Sequence, residues 1–298
     1  MTRYRSNILK TLAAASALLA AAGAARAAEV TPSVPKANPE SIAAGPDGTL
    51  YLGSQTATVI YRARPGETTA TPFIDMKGPP GAFLLGVMAD GTTNTLWVCE
   101  IMSMDRSSPL LKAVSRIRTF DLASGAPKQT IPLPTPTNIC NDFAVGPDKA
   151  VYIADTSNAQ VLRLRPGSST LETVIQNPAL YGVDGITFLD GQLYVNTVWS
   201  NALFRIPLDA SGKAGAPVQI QVPVVLKSPD GMRAAGGKLY VAENSGGQVD
   251  ELTITGDRAS VRVVKTGLVA PTAVEPHGET LWIGDRGASK AISIPRPK

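Results

Sequence analysis

The sequence contains one histidine, His277, and that scarcity removes a good deal of chemistry. A Ser-His-Asp triad or a pair of catalytic histidines cannot be built unless His277 itself serves. A Cys/His zinc cluster is excluded in the same way. His277 stands in Glu275-Pro276-His277-Gly278, a turn sequence, where an exposed loop side chain is the plainer reading. Cysteine is almost as rare, with only Cys99 and Cys140. An oxidising compartment permits a bridge between them, and the alternative is two small buried side chains that never meet. Cys99 is a poor candidate nucleophile, since it lies among bulky apolar strand residues with no histidine signal nearby.

Long apolar runs are also missing, apart from the short Ala/Leu stretch Thr11 to Ala22. That stretch follows Arg3, Arg5 and Lys10 and precedes Ala25-Arg26-Ala27, which has the small-x-small form of a signal peptidase site. The expectation is a leader over residues 1–27, a mature chain from Ala28, and a periplasmic or secreted location; the rival is an uncleaved anchor. The run is too short for a stable membrane helix. No cysteine follows it to carry a lipid, and Arg3-Tyr4-Arg5 is not a twin-arginine pair.

Charge excess proves equally absent. The chain carries +4 overall, but Arg3, Arg5, Lys10 and Arg26 all lie in the leader. Without them Lys+Arg falls from 28 to 24, equal to the 24 Asp+Glu. Nucleic-acid and membrane-surface partners therefore have no electrostatic support. A small-molecule partner and a monomer are the expectation.

What the sequence has is repetition. An apolar-aromatic-apolar triplet recurs as Leu50-Tyr51-Leu52, Leu96-Trp97-Val98, Val151-Tyr152-Ile153, Leu193-Tyr194-Val195, Leu239-Tyr240-Val241 and Leu281-Trp282-Ile283. The spacings are 46, 55, 42, 46 and 42 residues, the length of a four-stranded propeller blade. Turn residues precede each triplet, among them Gly45-Pro46-Asp47-Gly48, Asp190-Gly191 and Gly236-Gly237. No long amphipathic helix is evident. The fold class expected is all-β, a six-bladed β-propeller of four-stranded antiparallel blades in one domain over 28–298. The last copy runs out of chain before a fourth strand, so the segment around Val30 to Val34 is expected to supply it; a free tail is the alternative. The longest excursion, Glu100 to Val114, reads as a long loop over one end of the channel.

In a propeller the first strand of each blade lines the central channel, so residues at one offset before the triplets form a ring. Counting back nine or ten positions gives Glu40, Asn141, Asp184 and Asp230 from copies one, three, four and five. Copy two offers apolar residues near Gly86, and copy six Pro271-Thr272. Three carboxylates converging in a narrow channel repel unless they are protonated or neutralised. A divalent cation with oxygen ligands answers that, and Ca²⁺ tolerates Asp, Glu, Asn and water together. The bland alternative is that these residues only cap strand starts. The fifth triplet-register position is polar in every copy (Ser54, Glu100, Asp155, Thr197, Glu243, Asp285) and reads either as an outer ring or as strand-end capping.

Pro39-Glu40, Asn141-Asp142-Phe143-Ala144-Val145 with its Gly-Pro-Asp turn, and Ser228-Pro229-Asp230-Gly231-Met232 resemble the senescence-marker-protein/gluconolactonase family, also called regucalcin-like. Paraoxonase-type lactonases, which use histidines, are more distant kin. The resemblance implies a catalytic divalent cation, with Glu40 and Asp230 as ligands and Asn141 as ligand or substrate holder. Asp184 stands where the family usually has a ligand Asn; the extra charge implies tighter cation binding and weaker Lewis acidity. The chemistry implied is hydrolysis of lactones or related esters, some members cleaving phosphotriesters, with Asp230 as general base. Arg106, Trp199 and Arg286 are further loop candidates for substrate contact. The competing readings are a non-catalytic propeller with a structural Ca²⁺ and a strictosidine-synthase-like enzyme, which lacks a candidate residue here.

Overall fold

The triplets form the centres of strands that are buried on both faces. In Val151–Asp155 and Leu50–Ser54 every residue is buried, as a strand must be when another sheet covers each side. The computed structural model describes residues 28–105, 107 and 112–298. Among them there is no α-helix, only one 3₁₀ turn at Pro178–Leu180. The strands form four four-stranded sheets and one eight-stranded sheet. Within each repeat, neighbouring strands pair antiparallel, as in Val151–Asp155 with Gln160–Leu164. The first strands are Pro39–Ala44, Phe83–Asp90, Cys140–Val145, Val183–Leu189, Pro229–Ala235 and Pro271–His277. Each packs on the next, and the sixth returns to the first.

The core lies in layers between successive sheets rather than in one central mass. Tyr152, Val161, Ile186 and Val195 fill the layer between repeats three and four. Leu203, Met232, Val241 and Leu252 fill the next. The triplet aromatics reach across these layers: Tyr152 meets Phe188 edge-on at 4.9 Å, and the Tyr51 hydroxyl donates to the Leu122 carbonyl at 2.8 Å. Fully burying such side chains contributes about 1.5–3 kcal/mol each. Cys99 and Cys140 are joined by a disulfide with Cα atoms 5.3 Å apart. The bridge ties repeat two to repeat three across 41 residues and is worth about 3–4 kcal/mol.

Strand Glu29–Pro32 completes the sixth repeat. It pairs antiparallel with Lys290–Pro295, Val30 opposite Ala291. Its other edge pairs in parallel with Thr69–Asp75 of repeat one, Thr31 opposite Thr69. That second ladder fuses repeats one and six into the eight-stranded sheet. The expected long loop is largely strand instead. Thr95–Asp105 and Lys112–Asp121 continue pairing out to Asp105 opposite Lys112. Extending the hairpin satisfies backbone groups that a loop would leave to water.

Candidate functional site

Every first strand is irregular at one place, and the irregularity makes the site. Pairing with the second strand skips between Pro39/Ser41, Leu84/Val87, Cys140/Phe143, Val183/Ile186, Pro229/Met232 and Pro271/Ala273. Such bulges re-aim side chains. The residues inside them are Glu40, Leu85-Gly86, Asn141-Asp142, Asp184-Gly185, Asp230-Gly231 and Thr272. Neighbouring bulges touch backbone to backbone. A Cβ on Gly185 would stand 2.5 Å from the Asp230 carbonyl, and one on Gly231 2.5 Å from the Thr272 carbonyl. Asn196 clamps two bulges together, accepting from the Gly185 N–H at 3.0 Å and donating to the Asp230 carbonyl at 2.6 Å.

Glu40, Asn141, Asp184 and Asp230 thereby line one cavity of about 10 Å³, room for a single water or ion. Asn141 Nδ2 donates to Asp184 Oδ2 and to Thr156 Oγ1, both at 2.9 Å, which leaves its Oδ1 turned to other uses. Asp230 Oδ1 accepts from the Gly231 N–H at 3.0 Å. Glu40 is 7% exposed, yet among the described residues no donor reaches its carboxylate. Burial first, and then the Asp230 charge, push Glu40 well above the usual carboxylate range. Asp184 is raised for the same reasons, with Glu40 adding to Asp230. Asp230 is pushed up to about 7 by burial, against the opposing pull of Arg286 and the Gly231 N–H. Among the described residues no group of three or more His, Cys, Asp or Glu side chains forms a ready-made metal cage.

Asp142 and Arg233 line the same cavity and belong to a buried ion triad, of which counting back nine or ten positions reaches Asp142 but not Arg233 or Glu275. Arg233 grips Asp142 through Nη1 to Oδ2 at 2.6 Å and Nη2 to Oδ1 at 3.0 Å. Its Nε lies 3.3 Å from Glu275 Oε2. Burial opposes the Arg233 charge, but Asp142 and Glu275 more than offset it and hold the guanidinium protonated. The available signal was charge in the middle of first strands, at positions that otherwise carry apolar residues.

Four of the six fifth-position residues are caps, while Glu100 binds Arg116 and Arg118 and Thr197 bonds to Ser200 and Ala202 of its own hairpin. Asp155 Oδ1 accepts from the Ile139 N–H, Glu243 Oε2 from Lys227, and Asp285 from Val269 and Ala270. Ser54 donates to the Ala37 carbonyl. Each holds the crossing that leads into its own repeat. Arg286 is half-buried near Glu40 and Asp230 and donates to Gln55 Oε1 at 3.3 Å. Trp199 packs on Tyr181 at 4.6 Å, both partly exposed. Arg106 lies outside the described residues. His277 pairs with Thr280 at the other end of its strand from Thr272.

No protein-family model matches the chain, and no curated protein does. Solved structures do. One provisionally named a gluconolactonase aligns at TM-score 0.68 and 19% identity, over 91% of this chain and 92% of its own. Virginiamycin B lyase from Staphylococcus aureus aligns at 0.64 and 15%, over 91% and 99%. A His-to-Ala form of that lyase is described as catalytically inactive. A PQQ-bound aldose sugar dehydrogenase from Streptomyces coelicolor aligns at 0.64 and 17%, over 91% and 98%. At these identities the likeness shows a propeller-type fold and nothing about chemistry.

Proposed function

We propose that this chain is a six-bladed β-propeller hydrolase that opens lactones or related esters beside a divalent cation, Ca²⁺ by preference, after export from the cytoplasm. Counting six blades treats the eight-stranded sheet as two, joined only through Glu29–Pro32. The observation that carries the function is the channel cavity, ion-sized and lined by Glu40, Asn141, Asp142, Asp184, Asp230 and Arg233; Arg233 is already paired with Asp142, and among the described residues no donor reaches the Glu40 carboxylate. Glu40, Asp184, Asp230 and Asn141 Oδ1 would hold the cation, with water completing a set the carboxylates alone do not close. When bound, it would polarise the substrate carbonyl and stabilise the developing oxyanion.

The chain's own residues do the rest. The cavity is too small for substrate, so the lactone would sit above it, with Arg286, whose charge bears on Glu40 and Asp230, offering a cation. Asp230 takes a proton from water; the hydroxyl oxygen attacks the carbonyl carbon, the ring C–O bond breaks, and the leaving oxygen recovers a proton. Arg233, paired with Asp142 and Glu275, brings a fixed positive charge to the wall of the same cavity. A lyase reading is disfavoured because the lyase neighbour is inactive without one of its histidines, while the single histidine here lies at the far strand end.

Elemental analysis of the purified chain, followed by a lactone and ester panel with and without chelator, tests this. Asp230→Ala is expected to lower turnover about 100-fold or more with folding intact. Bound Ca²⁺ without turnover on any panel member would instead make the ion structural and the protein a binding platform.

A further inference from the structure

A roomier cavity lies at the opposite end of the first strands. Between repeats two and three is a cavity of about 520 Å³, in the range of small-molecule sites. Its wall is apolar where Trp97, Val151, Leu164 and Pro166 meet, Trp97 being largely buried at 8% exposed. Its rim carries Lys128, Lys149 and Arg165 against a single carboxylate, Asp90.

These charges are not equally committed. Asp90 spends its oxygens on the Thr92 and Thr93 N–H groups and the Thr93 hydroxyl. Arg165 shares Glu172 in an exposed pair at 3.0 Å. Lys128 is fixed by three neutral acceptors, the Thr93 and Asn94 carbonyls and Thr95 Oγ1, at 2.6–3.2 Å. Its charge is thus positioned by neutral groups, with Asp121 near enough to feel it but forming no ion pair with it. The Lys149 side chain forms no hydrogen bond or ion pair among the described residues.

Lys149 also stands in left-handed backbone, as Lys36 and Lys77 do. It has φ 63° in the turn Gly146-Pro147-Asp148-Lys149, whereas the matching turn of repeat one, Gly45-Pro46-Asp47-Gly48, has glycine there at φ 83°. Left-handed backbone disfavours a side chain such as lysine. A lysine that is unpaired, conformationally costly and on the rim of a cavity has no structural task that glycine would not do better.

We propose that this inter-blade cavity is a second binding site, for a small organic anion whose flat apolar body rests on Trp97 and whose carboxylate is held by Lys128 and Lys149. The proposal does not depend on the chemistry of the channel. The test is calorimetric titration of the folded chain with 2-naphthoate and with its neutral analogue 2-naphthylmethanol. Naphthoate is expected to bind one site at least tenfold more tightly than the alcohol. Lys149→Gly should weaken it tenfold or more while leaving the thermal midpoint equal or higher, since glycine suits the turn; Lys149→Arg should keep affinity within about threefold. Asp230→Ala should leave naphthoate binding unchanged. Absence of binding at millimolar naphthoate, equal affinity for the neutral analogue, undiminished affinity in Lys149→Gly, or loss in both Lys149 variants would each overturn the proposal.

Discussion

Glu243 and Asp250 show how one buried pair sets a pH response. They are 1% and 0% exposed, and Glu243 Oε1 and Asp250 Oδ2 each lack a hydrogen-bond donor. Their other oxygens are occupied, by the Lys227 N–H and by Gln248 Nε2. Two carboxylates in this position can share one proton but cannot both ionise cheaply. Burial first, then Asp250, push Glu243 up to about 7 from its ordinary 4.5. The native state thus binds the proton more tightly than the unfolded chain. The stabilisation is complete below about pH 4.5 and is lost as pH rises through about 7. Glu243→Gln supplies a donor at every pH. It is expected to match the parent near pH 4.5 and to exceed it by about 3 kcal/mol at pH 8. Urea unfolding at the two pH values measures this; an unchanged difference between them would rule out the shared proton.

At the scale of strands, the bulge is the unit that makes the site, and it accounts for what could and could not be read from sequence. The ring of Glu40, Asn141, Asp184 and Asp230 was legible because one bulge per repeat lies at a near-constant distance before an easily seen triplet. The Arg233 triad was only partly legible: Asp142 stands nine residues before Val151, the offset of Asp184 and Asp230, whereas Arg233 and Glu275 stand six before their triplets, an offset that was not sampled. The fifth-position residues misled in another way: Asp155 or Asp285 at a strand end satisfies backbone donors or faces a ligand with the same sequence signature. The bulge also dictates a sensitivity. Gly185 lies in the Asp184 bulge with the Asp230 carbonyl 2.5 Å and the Met232 nitrogen 2.7 Å from any added Cβ. Both are backbone atoms that cannot rotate away. Gly185→Ala is therefore expected to cost about 1–3 kcal/mol by overpacking and to disturb two of the carboxylates together. Thermal unfolding reads the first effect. Weaker Ca²⁺ binding in calorimetry reads the second, and an alanine variant of parental stability would show that the sheets can part more readily than this packing allows.

The whole molecule is a ring of sheets, and a ring must be closed. Several devices join repeats beyond face-to-face packing, among them the Cys99–Cys140 bridge between two and three, the bulge clamps such as Asn196, the Arg233 triad, and the strand Glu29–Pro32. The last was anticipated as the missing outer strand because the sixth copy has only three strands of its own. Its second, parallel ladder to Thr69–Asp75 was not, since nothing in a four-residue segment tells how many edges it will use. That ladder makes the closure bear on both sides of the junction. Val30, 2% exposed, packs into the layer with Leu52, Tyr61, Ala273 and Ala291 that seals repeat six against repeat one. Val30→Asp places a carboxylate in that layer without a partner, where a buried unpaired charge costs several kcal/mol. The expected result is a large loss of stability that begins at the junction. Hydrogen exchange should therefore speed first in Lys290–Pro295 and Thr69–Asp75, while Gln160–Leu164, on the far side of the ring, keeps its protection until global unfolding. Uniform loss of protection around the ring would mean that closure is shared by every layer rather than concentrated at the seam.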